Sequence, residues 1–346
     1  MKPFDKNLIL SGSSIREALA KLNEIPTTLT LFVLDTNDVL LGSVTDGDIR
    51  RGLLKGVNVS DKVDLVMNKN CSSLSNEKLV PLEFKKLKEK GIAVLPIVTA
   101  EKKLVKLVEL KNKRTVLPLD AVIMAGGKGE RLLPLTETTP KPLLYVGDKP
   151  ILKHNIDRLS AYGIENCFIS VNYLAEKIID FCKKEEKLSV SFVKENAELG
   201  TIGAVSLIET FKNDAILIMN SDLLTNIDFE DLFNFFSREN ADIVVASIPY
   251  KVQVPYAVLD TTGKTINSFE EKPTLTYYSN AGIYILKKEY VSKIPKNQKY
   301  NATDFLDEMI NTGKKVIHYP IYGYWLDIGK HEDFQKAQED IKHIKF

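Results

Sequence analysis

Residues Ala125–Pro142 read AGGKGERLLPLTETTPKP and directly follow the apolar run VIM at residues 122–124. Glycines in a turn after a strand let backbone N–H groups approach a ligand closely, and such turns often hold phosphate. Two well-known phosphate signatures do not fit. The P-loop pattern needs Ser or Thr where this chain has Gly129, and the dinucleotide fingerprint needs a glycine at Leu132. The stretch therefore predicts a phosphate-binding loop of another kind.

Predicted strands and helices alternate along the chain from residue 120 onwards. The predicted strands are 120–125, 166–172, 189–194, 215–220 and 242–249, and the predicted helices are 150–164, 174–184, 203–211 and 228–240. This alternation predicts an α/β fold built from βαβ units with a parallel sheet. Ligands of such sheets bind beyond the carboxyl ends of the strands. The glycine-rich loop and Asp222 both follow predicted strands at that end, so two features indicate the same crevice.

A weak internal repeat occupies the first third of the chain. Residues 32–48 and 96–112 align without gaps, and each copy follows a predicted amphipathic helix. In the first copy Thr45 and Asp48 open a further helix, and such residues are good helix caps. Their counterparts in the second copy are Glu109 and Asn112. The repeat predicts a separate domain over residues 1–115, joined by the polar stretch KNKRT to a second domain over residues 116–346.

Composition excludes several classes of function. The 47 Lys and Arg residues balance the 46 Asp and Glu residues, so net charge favours neither nucleic acid nor an acidic membrane as partner. The three cysteines are scattered without metal-type spacing, which favours reduced thiols. No apolar run approaches the roughly 18 residues of a membrane span. A cytoplasmic protein is therefore expected.

Five motifs follow one another in a fixed order along residues 119–342. The loop reads G-G-x-G-x-R-L…T…P-K-P; after it come ENAELGT from Glu195, NSD ending at Asp222, EEKP around Lys272 with NAG from Asn280, and WLDIG around Asp327. Together they resemble the sugar-1-phosphate nucleotidylyltransferases, with Ser221 standing where that family usually has Gly. The resemblance implies a Rossmann-like mixed sheet of the glycosyltransferase-A type.

The resemblance also implies a role for each motif in transferring a nucleoside monophosphate from a nucleoside triphosphate to a sugar 1-phosphate. It implies nucleotide binding by Ala125, Gly126, Gly127, Gly129, Glu195, Gly200 and Thr201, sugar-phosphate binding by Tyr256, Ala257, Glu271, Lys272 and Asn280, catalysis by Arg131 and Lys141, and Mg²⁺ binding by Asp222 and Asp327. Residue chemistry agrees, because arginine's planar fork suits a triphosphate and Mg²⁺ takes few carboxylates. The alternative for Asp222 is a turn or capping residue, and for Lys272 a solvated surface lysine.

The base and the sugar are less strongly specified. Family members that use uracil or thymine commonly have Gln five residues before the glycine of the base segment, and this chain has Glu195. A carboxylate only accepts hydrogen bonds, which suits the N–H donors of guanine, so GTP is favoured; a solvated strand-end residue is the alternative. Guanylyltransferases joined to a CBS pair occur in pathways to cell-surface sugars such as legionaminic acid. That likeness favours glucosamine 1-phosphate, then mannose 1-phosphate, with uridylyl or thymidylyl transfer to glucose 1-phosphate remaining open.

The N-terminal repeat resembles a tandem pair of CBS motifs, a module that often binds adenine nucleotides. Thr45 and Asp48 match the pair that holds a ribose in that family, and Glu109 and Asn112 do not. The resemblance implies one adenine or guanine nucleotide effector per chain, or a dimerisation element, within a homodimer or higher homo-oligomer. A non-catalytic nucleotide-sensing protein is the alternative of another class. Such proteins typically lose the signature Arg, Lys or metal Asp, all of which this chain keeps.

Overall fold

The computed structural model describes residues 5–25, 28–75, 81–110, 113–184 and 189–344. The chain divides into two compact units, Met1–Leu117 (unit 1) and Pro118–Phe346 (unit 2). Within the described ranges, every helix is too short or too polar to cross a membrane.

Unit 1 contains two three-stranded sheets of the same design. Its elements are β1 (Leu8–Leu10), α1 (Ile15–Asn23), β2 (Thr30–Leu34), β3 (Leu40–Thr45), α2 (Asp46–Leu54), β4 (Leu74–Ser75), α3 (Pro81–Glu89), β5 (Val94–Val98) and β6 (Leu104–Glu109). In each sheet the first strand pairs parallel with the second, and the second pairs antiparallel with the third. Both hairpins shift register at the same repeat position, Val33/Leu34 and Ile97/Val98. The internal repeat of the sequence is therefore a repeat of topology.

Helix α1 shows why these segments fold locally. Ser14 accepts a hydrogen bond from the backbone of Glu17, and the Glu17 side chain accepts one from the backbone of Ser14, which is a capping box. Ile15, Ala18 and Leu22 then lie on one face and are buried in the core of the first sheet.

Unit 2 is built around a seven-stranded sheet. Its elements are β7 (Leu119–Ala125), β8 (Tyr145–Val146), β9 (Lys149–Pro150), α4 (Ile151–Ala161), β10 (Asn166–Val171), α5 (Ala175–Lys183), β11 (Ser189–Lys194), β12 (Ala215–Asn220), β13 (Leu223–Thr225), α6 (Phe229–Arg238), β14 (Ile243–Gln253), β15 (Val258–Thr262), β16 (Thr265–Glu270), β17 (Thr274–Lys287), α7 (Ala302–Asn311), β18 (Val316–Pro320), β19 (Trp325–Asp327) and α8 (His331–Asp340). The strand order is β11-β10-β7-β12-β17-β14-β18.

The sheet is mixed. Strands β11, β10, β7 and β12 are parallel, β17 is antiparallel to both of its neighbours, and β18 is parallel to β14. The mixed sheet implied by the family resemblance is confirmed, and the five strands predicted from strand–helix alternation run in the same direction; the antiparallel strand β17 was not predicted. The reason is that β17 inserts between β12 and β14, and pairing between segments so distant in sequence leaves no mark on local periodicity.

One helix prediction fails for a similar reason. Residues 203–211 were expected to form a helix, but only a 3₁₀ turn spans Gly203–Leu207. The backbone N–H groups of Ile202 and Gly203 both donate to the carbonyl of Tyr300. A Cβ at Gly203 would lie 2.9 Å from the carbonyl oxygen of Gln298. Close docking onto a distant segment thus replaces the regular helix.

The core of unit 2 fixes where the parallel strands end. Ala121, Val122 and Ile123 of β7 are fully buried, because β7 is an interior strand of the sheet and is covered on both faces. On one side Val122 packs in a cluster with Ile218 of β12 and Phe305 of α7. The carboxyl ends of β7, β10, β11 and β12 therefore form one edge of the sheet, and the glycine-rich loop and Asp222 follow strands that end there.

Candidate active site

A cavity of about 650 Å³ lies at the carboxyl ends of the parallel strands of unit 2. The sequence-predicted residues that line it are Gly126, Gly127, Gly129, Arg131, Lys141, Glu195, Gly200, Thr201 and Asp222. Ala125 is the last residue of β7, directly before this loop. The cavity therefore brings together the predicted phosphate loop, the predicted base segment and one predicted metal ligand.

The glycine-rich loop closes tightly around Lys141. Gly129 has a φ of +68°, in the left-handed region that favours glycine. A Cβ there would lie 3.1 Å from both the Cβ of Lys141 and the Cγ2 of Thr136. The buried Thr136 hydroxyl donates to the Gly129 carbonyl at 2.8 Å. The loop thus fixes the backbone and Cβ of Lys141 at the cavity wall.

Lys141, Asp222 and Asp327 form one charged cluster. The Lys141 ammonium contacts the Asp222 carboxylate and lies 3.9 Å from Oδ1 of Asp327. The two aspartates are distant in sequence but meet because β13, which follows Asp222, pairs antiparallel with β19, which ends at Asp327. The backbone N–H of Ile328 also donates to the Asp222 carbonyl at 3.1 Å.

The Asp327 carboxylate lies in an electrostatically unfavourable environment. Burial and the neighbouring Asp222 raise the pKa of the Asp327 carboxyl to about 6, although Lys141 and Arg131 oppose this. Oδ1 of Asp222 and Oδ1 of Asp327 are both buried and accept no hydrogen bond from the described part of the chain. Buried anionic oxygens without donors suit a hard divalent cation.

The pair of aspartates suits a metal site that substrate phosphates complete. No group of three or more His, Cys, Asp or Glu side chains that could hold a metal ion occurs among the described residues. Mg²⁺ is usually bound by one or two carboxylates together with water and substrate phosphates, so a pair of aspartates is a sufficient protein contribution. The residues present therefore fit Mg²⁺ delivered with a phosphate ligand better than a site enclosed by protein.

Glu195 lies opposite the phosphate loop in the same cavity. Its Oε2 accepts a hydrogen bond from the backbone N–H of Leu199 at 3.2 Å. A Cβ at Gly126 would lie 2.5 Å from Oε1 of Glu195, so this glycine leaves room for the carboxylate. Burial is the largest cause that raises the pKa of the Glu195 carboxyl. The cavity thus presents a half-buried hydrogen-bond acceptor beside the loop.

Sequence reasoning missed several residues of the cavity. Ser170 of β10 is fully buried, its hydroxyl accepts from the Ala125 N–H at 3.2 Å, and it also lowers the pKa of the Glu195 carboxyl. Asn301, the N-cap of α7, also lines the cavity. Gly200 leaves room for it, since a Cβ there would lie only 2.8 Å from the Asn301 side chain. A lone serine in a strand and an asparagine before a helix carry no sequence signal of a site.

The predicted sugar-phosphate residues lie elsewhere. Tyr256, Ala257, Glu271, Lys272 and Asn280 are all exposed, and none of these five lines the cavity. They belong to a ribbon formed by β15, β16 and the outer halves of β14 and β17, which extends past the carboxyl ends of the parallel strands.

The base of this ribbon adjoins the cavity. A Cβ at Gly282 would lie 2.6 Å from Nδ2 of Asn220, and Asn220 lines the cavity. The Trp325 indole N–H donates to the Ala281 carbonyl at 2.9 Å, which ties β19 to β17. Asn280 is bonded locally, since its amide group donates to the Tyr284 hydroxyl at 2.8 Å. The structure therefore gathers the predicted nucleotide residues and leaves the predicted sugar residues on the adjoining ribbon.

Thr45 and Asp48 of unit 1 cap helix α2. The Thr45 hydroxyl donates to the Asp48 carboxylate at 2.7 Å, and the Asp48 backbone N–H donates to the Thr45 hydroxyl at 3.2 Å. Thr45 also lines a second cavity, of about 570 Å³, within unit 1, whereas Asp48 does not. Glu109 is the last residue of β6, and Asn112 lies outside the described residues.

Comparisons with known proteins concern unit 2. Residues 120–344 match the family model described as nucleotidyl transferase. The mannose-1-phosphate guanyltransferases of Schizosaccharomyces pombe and Yarrowia lipolytica are 32% and 33% identical over 230 and 227 residues, which are 62% of this chain and 62% of each relative. This chain thus spans about 62% of the length of these curated relatives. The crystal structure of HddC from Yersinia pseudotuberculosis is similar, with 28% identity and a TM-score of 0.51 over 64% of this chain and 99% of that chain.

Proposed function

The chain belongs to the nucleotidyl transferase family, and we propose that it transfers GMP from GTP to a sugar 1-phosphate, giving a GDP-sugar and pyrophosphate. The observation that carries this proposal is the cavity of unit 2, where a glycine-rich loop, a buried lysine, the Asp222 carboxylate and a half-buried acceptor meet, with Asp327 next to the lysine. This buried cluster of one ammonium and two carboxylates favours catalysis over the alternative of a purely regulatory nucleotide-sensing protein.

The reaction needs positioning more than acid–base chemistry. An oxygen of the sugar phosphate attacks the α-phosphorus of GTP, and the bond from that phosphorus to the β-phosphate bridging oxygen breaks, releasing pyrophosphate. A phosphate oxygen is already anionic, so the protein's work is to align two polyanions and to offset their charge. Backbone N–H groups of the loop and the guanidinium of Arg131 would bind the triphosphate. The Lys141 ammonium would face the α-phosphate, where charge grows in the transition state.

Asp222 and Asp327 would hold Mg²⁺, which when bound neutralises phosphate charge. Their oxygens without hydrogen-bond donors support this assignment. The pairing of β13 with β19 holds the two aspartates close together, because Asp222 directly precedes β13 and Asp327 ends β19.

Glu195 supports guanine as the base. Its carboxylate faces the cavity, half-buried, and accepts a hydrogen bond from Leu199. Its remaining acceptor positions suit the N1–H and N2–H donors of guanine and would repel a carbonyl of uracil or thymine.

The choice of sugar substrate depends on the relatives of the chain. The curated relatives reported above are mannose-1-phosphate guanyltransferases, which favours mannose 1-phosphate. Glucosamine 1-phosphate, favoured by the likeness to guanylyltransferases that carry a CBS pair, is the second candidate. In either case we assign binding of the sugar phosphate to the predicted residues of the ribbon, among them Glu271, Lys272 and Asn280.

One assay tests the proposed function. Four nucleoside triphosphates are each combined with mannose, glucosamine and glucose 1-phosphates, and release of pyrophosphate is measured with Mg²⁺. We expect the highest kcat/KM for GTP with mannose 1-phosphate. A maximum with UTP or dTTP would remove guanine from the proposal, and no release with any pair would favour the regulatory alternative.

The second cavity supports a second proposal, that unit 1 binds one nucleotide effector per chain. The polar side chains of Thr45, Ser43 and Asn68 line it, together with the aromatic ring of Phe32. Calorimetric titration of the full chain with AMP should reveal one site that is weakened in Thr45→Ala, because Thr45 lines this cavity. The matched control is Glu17→Ala, which removes the equivalent capping box of α1. Equal weakening in both variants, or no binding of AMP or GMP, would leave dimerisation as the better role for unit 1.

A further inference from the structure

Lys141 occupies the position between the two carboxylates. Its ammonium contacts one oxygen of Asp222 and lies 3.9 Å from Asp327. The side chains of Lys141 and Asp222 are only 11% and 20% exposed, so water screens this contact poorly. The ammonium is therefore the internal counter-ion of the same two groups that fit a divalent cation.

Two positive charges cannot share this position. A divalent cation bound to Asp222 and Asp327 would stand next to the Lys141 ammonium and would repel it. The proposed reaction assigns the same ammonium to the α-phosphate of the nucleotide. One side chain thus has two anionic partners, Asp222 and the nucleotide phosphate, and a metal bound to the aspartates would favour the phosphate.

We propose that Lys141 blocks the metal site in the substrate-free protein and leaves it only when a nucleotide phosphate is present to receive the ammonium. Metal alone then binds weakly, whereas metal and triphosphate bind cooperatively, and by reciprocity each tightens the other. This inference rests on the proposed function, because it takes the two aspartates as metal ligands.

The local structure allows such a movement. The Lys141 backbone is fixed, since its carbonyl accepts from the Leu144 N–H at 3.1 Å and its Cβ packs beneath Gly129. Beyond Cβ, lysine has a flexible stem and an ammonium that can donate in three directions. Only the end of the side chain has to move, and the cavity that Lys141 lines provides the space.

The test measures binding of Mn²⁺ to the full chain without nucleotide, by electron paramagnetic resonance of the free ion. Lys141→Met removes the ammonium and keeps the length of the side chain. We expect it to bind Mn²⁺ at least about tenfold more tightly than the unmodified protein, or about 1.4 kcal/mol. All variants are measured in the same buffer at the same pH. The matched control is Lys288→Met, a lysine outside the cavity whose ammonium lies 3.0 Å from Asp214; it should leave the affinity unchanged.

Two further variants separate the ways in which the idea can fail. Lys141→Met combined with Asp222→Asn should lose the tight binding. If the double variant binds Mn²⁺ as tightly as Lys141→Met, the aspartates are not the metal site, and the metal assignment of the proposed function fails. If Mn²⁺ binds through Asp222 but Lys141→Met does not tighten it, the counter-ion role alone is overturned. Lys141→Gln replaces Lys141→Met in both comparisons if thermal unfolding shows that the methionine variant does not fold.

Discussion

At the amino-terminal end of the seven-stranded sheet, Asp242 accepts hydrogen bonds from three donors. At the carboxyl-terminal end, Asp222 and Asp327 each have one buried oxygen that accepts no hydrogen bond from the residues that the structure describes. The donors to Asp242 are the Lys287 ammonium, the Tyr290 hydroxyl and the Lys315 N–H. Burial alone would raise the pKa of Asp242, but these donors lower it to about 2. At the other end, burial and Asp222 raise the pKa of Asp327 to about 6.

Asp120 follows the pattern of Asp242. It is completely buried near the start of β7 and accepts from the side chains of Asn166 and Asn213 and from the Asn213 N–H. Carboxylates at the amino-terminal end join neighbouring strands through satisfied hydrogen bonds. At the carboxyl-terminal end the pKa of Asp327 is raised, and both aspartates have a buried oxygen that a ligand could contact, which is typical of functional sites. The contrast separates structural from functional carboxylates within one sheet.

The largest effect is expected when a carboxylate at the functional end is neutralised. Asp222→Asn keeps the size of the side chain but removes an anionic metal ligand, so turnover should fall by more than about 100-fold. Circular dichroism and thermal unfolding should show an intact fold. The matched control is Asp242→Asn, which should reduce stability by about 1–3 kcal/mol while the folded fraction keeps its turnover. Near-normal turnover in Asp222→Asn would erase the distinction between the two ends.

The next effect concerns the cation of the cluster. Lys141→Ala should lower kcat about 100-fold and change the KM for GTP much less, because its phosphate partner gains charge in the transition state. Steady-state kinetics with Lys128→Ala as control would measure this split. A rise in KM without a fall in kcat would make Lys141 a ground-state binding residue instead.

The third effect concerns base selection. Glu195→Gln replaces an acceptor by a group that also donates, which opposes the donors of guanine and suits the carbonyl of uracil. An unpaired buried donor costs about 1–3 kcal/mol, so the ratio of kcat/KM for GTP to that for UTP should fall about 5- to 150-fold. Glu176→Gln, an exposed glutamate of α5 that does not line the cavity, is the matched control. An unchanged ratio in Glu195→Gln would remove this residue from base recognition.

The smallest effect is on stability and depends on pH. The folded-state pKa of Asp327 is raised, so the folded protein holds that proton more tightly than the unfolded chain does, and the stabilisation is lost as pH rises through about 6. Asp327→Asn should therefore be slightly more stable than the unmodified protein above pH 6 and should show no gain in strong acid. The gain should be about 1 kcal/mol or less, because the side chain is 42% exposed and solvent screens it. Thermal unfolding across this range checks it; destabilisation above pH 6 would mean that Asp327 is satisfied like Asp242.

The sequence by itself determined the features that depend on neighbours along the chain. The apolar runs of β7, β10, β11 and β12, the glycine-rich loop after β7 and the internal repeat of unit 1 are all read from local composition and periodicity. The position of Asp222 after a strand also predicted that it would lie at the edge where ligands bind. Family resemblance added the mixed sheet and paired Asp222 with Asp327, which local patterns alone do not connect.

Only the tertiary structure decided which distant groups meet. It placed β17 between β12 and β14, brought Lys141 between two aspartates, and set the Glu195 carboxylate against Gly126. It also replaced the expected helix at Gly203 by docking onto Tyr300, and left the predicted sugar residues on the ribbon. The physical reason is that local periodicity reports which face of a segment is buried, whereas strand order and buried charge contacts depend on pairing between segments far apart in the chain.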